Sequence, residues 1–313
     1  MAVITKSPTP SSRSTTPRSA RRRQRGTAAL FMVPFFVVFI AVTIAPIFYA
    51  AWMSLFREQT SGLGFGGTER VFTGIENFTK ALTDEKFLAS FGNIAIYCVV
   101  YIPLMIGVSL GLALLVDSAL ARAKRFFQIA FYMPHAVPGM IAATIWLFLY
   151  APGLSPIHQF LDGFGMSWNF FGEDEALLSM VNISAWQWIG YNMIIFYAGL
   201  QAIPTETIEA ARVDGASAMR TALSIKIPMI RPTIMLTMLF TIVGAIQLFD
   251  APQLLMSRAN SLGAEWSPTM FIYSTAFLSH DYGLAAAASL LLALVAGVLS
   301  FGVTKLGNRW KDA

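Results

Sequence analysis

The chain has 313 residues, 56% of them hydrophobic and only 12% charged, with a formal net charge of +5. Its mean hydropathy is +0.60, and a soluble globule of this composition could not keep enough polar surface facing water. That excludes a cytosolic enzyme, a disordered chain and a disulfide-stapled secreted scaffold, and leaves a polytopic membrane protein. One cysteine, Cys98, and three scattered histidines, His135, His158 and His280, form no cluster with metal-ligand spacing, so no metal site is expected.

In chain order, residues 1–27 read as a disordered, basic cytoplasmic tail rich in Ser, Thr, Pro and Arg. The apolar run after it is too long for a signal-peptide core and is expected to remain as the first span, about Ala29–Leu55. Together with a long outer loop it makes the segment 28–90. That loop holds Gly62, Gly64, Gly66 and Gly67, and Glu76–Leu88 is expected as a short surface helix. A core of five further spans over 91–306 is expected at about Ile94–Val116, Ile129–Tyr150, Ala176–Ile203, Pro232–Phe249 and Leu284–Leu306, before a tail at 307–313. No stretch alternates with a barrel-like period of two, so the fold class is all-α, with six transmembrane helices.

Seventeen of the Lys and Arg residues fall in the tails and in the loops after spans two and four, against five on the other side. The positive side is cytoplasmic, so both termini are expected inside. Topology and contact with anionic lipid therefore account for the net charge, and no nucleic-acid partner is expected.

Within the spans, Gly107 and Gly111 are read as a small-residue helix-packing pair. Pro134 and Pro138 are read as a kink in span three, with His135 between them satisfied structurally. Cys98 is read as an apolar filler.

The loop after span four reads PTETIEAARVDGASAMRTALSIKIPMIRP. Pro204 ends the span, and Thr205 can cap a short helix with Glu206 near its positive end. Asp214 and Gly215 break that helix. A second short helix is expected over Ala216–Ile225, ended by Pro228 and Pro232. Small residues at Ala210, Ala211, Gly215 and Ala216 allow close approach by a soluble partner, although a plain connector has similar composition.

The stretch EAARVDGASAMRTALSIKIP resembles the EAA motif of binding-protein-dependent ABC importer permeases. Glu209, Ala210, Ala211, Gly215, Ile225 and Pro228 match it, and Ile227 replaces the usual Leu. The likeness extends over about Leu30–Phe301 to the carbohydrate-uptake group, which includes maltose and glycerol-3-phosphate permease subunits. It runs through GIENFTKALTDEKF at Gly74–Phe87, LFDAPQLL at Leu248–Leu255 and FIYSTAFLSHDYGLAAAASLLL at Phe271–Leu292. The stretch MSRANSLGAEWSP departs from the family's glycine-rich turn.

The resemblance implies a type I ABC importer permease fold in the bacterial inner membrane. It implies three kinds of partner: a second, non-identical permease, two ATPase subunits and an external solute-binding protein. It also implies no catalytic residue and no cofactor in this chain, with ATP and magnesium bound by the ATPase. The coupling residues would be Glu209, Ala210, Ala211, Asp214, Gly215, Ala216, Ile225 and Pro228. A sugar would pass aromatic faces and hydroxyl-binding groups, for which Trp188, Tyr191, Asn192, Gln247 and Asp250 are the candidates. A glycerol-3-phosphate importer is the alternative, although no basic residue stands in the expected path. The chain has no phosphate-binding G-x-x-x-x-G-K-[ST] loop, so it is not expected to bind ATP itself. No ionisable group lies deep in a span, which argues against a proton-coupled secondary transporter. A membrane enzyme would need clustered carboxylates, and Glu173, Asp174 and Glu175 read as a solvated loop.

Overall fold

The computed structural model describes residues 30–60, 68–118, 122–153 and 155–309. The expected disordered tail 1–27, the glycine-rich stretch 61–67 and the tail beyond Arg309 lie outside the described residues. The chain divides into two compact units, Met1–Trp52 and Met53–Ala313. The first contributes α1 (Leu30–Met53), an apolar helix with a π-turn at Ile40–Ile44.

The second unit opens with a hairpin that the all-α reading did not anticipate. Strands β1 (Phe56–Thr60) and β2 (Thr68–Phe72) pair antiparallel with Phe56 opposite Phe72 and Glu58 opposite Arg70. The two rings meet edge-on at 5.4 Å and Arg70 Nε lies 3.3 Å from Glu58 Oε1, so cross-strand pairs stabilise a ribbon too short to show as an alternating pattern. Beneath it, Asn77 is fully buried and donates to Ser54 O at 2.8 Å and Phe56 O at 2.9 Å.

Asn77 belongs to α2 (Glu76–Thr83), which is shorter than expected. Asp84 interrupts it and caps α3 (Glu85–Asp117), its Oδ1 accepting from Lys86 N and Phe87 N. At 33 residues, α3 is about 50 Å long. It begins well before the apolar window that predicted it, because the cap and not hydropathy sets its start.

Span three is broken. Helix α4 (Lys124–Tyr132) runs into a 3-10 turn at Met133–Ala136, and α5 (Gly139–Leu149) leaves at 96°. Pro138 holds Val137 extended and cannot donate a helical hydrogen bond, which ends the first segment and starts the second. After α6 (Pro156–Gly163), capped by Ser155, comes α7 (Glu175–Gln201). The second half of the unit holds α8 (Thr205–Val213) and α9 (Ala218–Thr221), followed by a π-turn at Ala222–Lys226. Next come α10 (Arg231–Ile246), α11 (Asp250–Leu255), α12 (Pro268–Tyr273) and α13 (Tyr282–Arg309).

Four helices among the described residues are long and apolar enough to cross a membrane, or five with the bent pair counted as one. The expected fourth span, now α7, does not qualify, because Asn182, Gln187 and Asn192 interrupt its apolar run. Instead it is the most enclosed long helix, packed chiefly on α3.

Contacts fix the helix directions within the unit. Tyr97 and Met180 share one core cluster, and Val116 packs with Leu200 in another, so α3 and α7 are parallel. The segment between them therefore returns from one end to the other through α4 and α5. Ile230, at the start of α10, joins Val116 and Leu200, while Ala245 joins Tyr97, so α10 runs back. Ala288 packs near Phe87 and Gly307 lies against Met235, so α13 again runs parallel to α3. The outer surface of the long helices is apolar: Val99, Leu115, Leu294 and Phe301 are all exposed. Gly107 and Gly111 also face open space, so the expected packing pair is not used within this chain. The close helix contact forms at Gly190, where a methyl group would overlap the Phe131 carbonyl.

Candidate functional site

Two places carry the chemistry. The first is the segment 204–231. Pro204, not Thr205, is the N-cap of α8, and no side chain caps it. The helix ends as a Schellman motif, with Ala216 N donating to Ala211 O at 2.9 Å and Gly215 N to Arg212 O at 3.0 Å. Gly215 adopts φ +79°, which L side chains rarely take. Ser217 then starts α9, its Oγ accepting from Arg220 N at 3.3 Å.

This fold turns an apolar edge outward. Val213 is 88% exposed, Met219 68% and Leu223 56%, beside exposed Glu209, Ala210, Asp214 and Gly215. Ala211 is buried, while Ala216, Ile225 and Pro228 are half-buried and seat the segment on the helix ends. A methyl at Gly215 would meet nothing within 4 Å in this chain. Positive φ alone makes glycine the favoured residue there, and the open space leaves room for another surface.

The second place is a cavity of about 110 Å³ between α3, α7 and α10. Tyr97 and Tyr101 stack at 5.1 Å along one wall. Trp188 and Tyr191 stand edge to face at 5.7 Å on another, and Ser184, Asn192 and Thr241 add polar groups. Asn192 Nδ2 donates to Trp188 O at 2.9 Å. The Tyr97 hydroxyl is buried beside Ser184 in the same wall. No lining residue is charged.

Trp188, Tyr191 and Asn192 thus come together as the sequence suggested. Gln247 and Asp250 lie outside this cavity. Gln247 is exposed at the end of α10, and the Asp250 carboxylate lies against Gly139 at the start of α5.

The broken span backs the cavity. Gln187 Nε2 donates to Val137 O at 2.8 Å, capturing a carbonyl freed by the break. The His135 ring stacks on Tyr191 at 4.5 Å and meets Trp188 at 4.6 Å. The ring is thereby held in place by packing, in the structural role expected of it. Sequence reasoning missed Tyr97, Tyr101, Ser184 and Thr241, because their convergence requires the parallel pairing of α3 with α7.

Comparison with known proteins identifies the family and the fold. A family model described as "Binding-protein-dependent transport system inner membrane component" matches residues 104–312. The sn-glycerol-3-phosphate transport system permease protein UgpA of Yersinia pseudotuberculosis is 32% identical over 289 residues, 90% of this chain and 94% of that one. Its counterpart from Agrobacterium fabrum is 31% identical over 272 residues, 85% of this chain and 89% of that one. Among solved structures, a bacterial ABC transporter importing the acidic polysaccharide alginate superposes with a TM-score of 0.78. It covers 94% of this chain and 99% of that one at 18% identity, which speaks to the fold alone. A complex of the alginate transporter with an alginate pentasaccharide-bound periplasmic protein gives 0.77 at 17% identity, over 93% of this chain and 97% of that one.

Proposed function

We propose that this chain, which belongs to the family of binding-protein-dependent transport system inner membrane components, forms half of the solute pathway of a sugar importer. It is a multi-pass permease subunit of an ABC importer and not an enzyme; a partner ATPase hydrolyses the ATP. The ATP and magnesium belong to that partner.

In our reading α7 also crosses the membrane and makes six spans with the five counted above, so both termini and the segment 204–231 face the cytoplasm of a bacterial cell. The segment seats its exposed Val213, Met219 and Leu223 edge in a groove of one ATPase subunit, with Glu209 beside a basic or polar group. A second, non-identical permease completes the pathway, two ATPase subunits power it, and a solute-binding protein delivers the solute to the outer face.

The observation that carries the solute class is the cavity wall: stacked tyrosines, a Trp–Tyr corner, three small polar side chains and no charge. Aromatic faces cover the apolar face of a sugar ring and the polar groups meet its hydroxyls. A glycerol-3-phosphate substrate is the second reading, favoured by the names of the relatives. It requires the phosphate's charge to be met by the other permease.

ATP-driven uptake of radiolabelled maltose and of sn-glycerol 3-phosphate into vesicles carrying the complete importer separates the two. Uptake of a neutral sugar supports the first reading. Uptake of the phosphate ester alone replaces it with the second.

A further inference from the structure

We propose that Asp117 is the positioning residue that joins the docking segment to the helices of the solute cavity. The inference rests on the reading of 204–231 as that segment. Asp117 is the last residue of α3, and its side chain is only 10% exposed. One carboxylate oxygen pairs with Lys226 Nζ, and the other accepts from Gln201 Nε2 at 2.6 Å. Its backbone carbonyl accepts from Lys124 Nζ at 3.2 Å, placing a positive charge at the negative end of α3.

The partners lie where motion must pass. Gln201 ends α7 just before the docking segment begins, and Lys226 lies on the far side of the exposed edge. Lys124 opens the broken span. One residue therefore ties the entrance and exit of the segment to α3. That helix carries Tyr97, Tyr101 and Met105 into the cavity, and α7 carries Trp188, Tyr191 and Asn192.

The π-turn at Ala222–Lys226, closed by Ile227 N donating to Ala222 O, bears on Lys226 as well. The extra residue rotates the downstream backbone by about 100° relative to an uninterrupted α-helix. A pair removed from water in this way is a poor source of stability compared with an apolar contact, and its attested use is to fix register. Here it makes the segment and the two cavity helices move as one body.

The test uses the whole importer, purified with its partner subunits and reconstituted in liposomes. Cys98→Ser removes the native thiol, and Thr241→Cys places a single reporter in the cavity wall. The rate of its modification by a charged maleimide is measured with and without ATP plus orthovanadate, alongside ATP hydrolysis. In this parent the nucleotide should change the rate about fivefold or more. Asp117→Asn and Lys226→Met should still hydrolyse ATP, but the labelling rate should no longer respond. The exchange of both charges, Asp117→Lys with Lys226→Asp, should restore the response, because Gln201 can present its carbonyl to the new lysine.

A response in both single variants equal to the parent's overturns the link, as does a swap that assembles but restores nothing. Lys226→Met, which keeps the aliphatic stem, decides the matter if Asp117→Asn does not assemble. Gly215→Asp separates the two layers. If that variant loses the response while Asp117→Asn keeps it, only the link fails. If Gly215→Asp responds like the parent, the docking reading fails and the link falls with it.

Discussion

Tyr97 and Gly190 show what single residues contribute. The Tyr97 hydroxyl is buried at the cavity wall beside Ser184, and the pair is placed to meet a solute hydroxyl. Tyr97→Phe should leave assembly unchanged and raise the KM for sugar uptake by about 2–10-fold, the equivalent of one hydrogen bond. Initial-rate uptake in vesicles measures this. Gly190 is needed for space: a side chain would meet the Phe131 carbonyl, a backbone atom that cannot turn aside. Gly190→Ala should cost about 1–3 kcal/mol, seen as a lower thermal midpoint of the purified protein. Neither role is legible in the sequence. The demand on Gly190 comes from a carbonyl on another helix, and Tyr97 looks like any aromatic in an apolar run. Trp188, Tyr191 and Asn192 were legible because amides and indoles are conspicuous in a span, where an unpaired polar group is costly. Gln247 was conspicuous for the same reason but ends a helix, where exposure satisfies it.

At the scale of elements, the segment 204–231 was the most legible part of the chain. The Asp214–Gly215 stop and the two short helices follow from local rules, and the structure adds the Schellman hydrogen bonds and the exposed apolar edge. Gly215→Asp should therefore keep the chain in the membrane, since the site has open space, yet uncouple ATP hydrolysis from uptake. The ratio of solute moved to ATP consumed measures it, and a normal ratio refutes docking. The broken span was half legible: two prolines foretold a bend, but not its 96° angle or the Gln187 bond that stabilises it. Gln187→Leu should leave Val137 O unpaired and cost about 1–3 kcal/mol, with a matching drop in thermal midpoint. The hairpin was not foretold, because its strands are short and its ties, Asn77 above all, come from outside them.

For the whole molecule, the sequence offered six spans, of which four, or five with the bent pair, are long and apolar enough among the described residues, and α7 is the one that falls short. The amides Asn182, Gln187 and Asn192 lower its mean hydropathy, and the proposed solute path along α7 would account for them. The helix contacts recover what composition obscured. Parallel α3, α7 and α13, with α4–α5 and α10 running back, bring the end of α3, the docking segment and the start of α10 to one face. The aromatic cavity lies deeper along the same helices. Two continuous helices, α3 and α7, therefore connect that face with the cavity.

The measurement that meets this account most directly is photo-crosslinking from position 219 in native membranes, with position 294 on the lipid-facing side of α13 as control. The account predicts an adduct between Met219-substituted chain and an ATP-binding subunit, and none from position 294. Efficient ATP-driven uptake with no such adduct at 219 would contradict it.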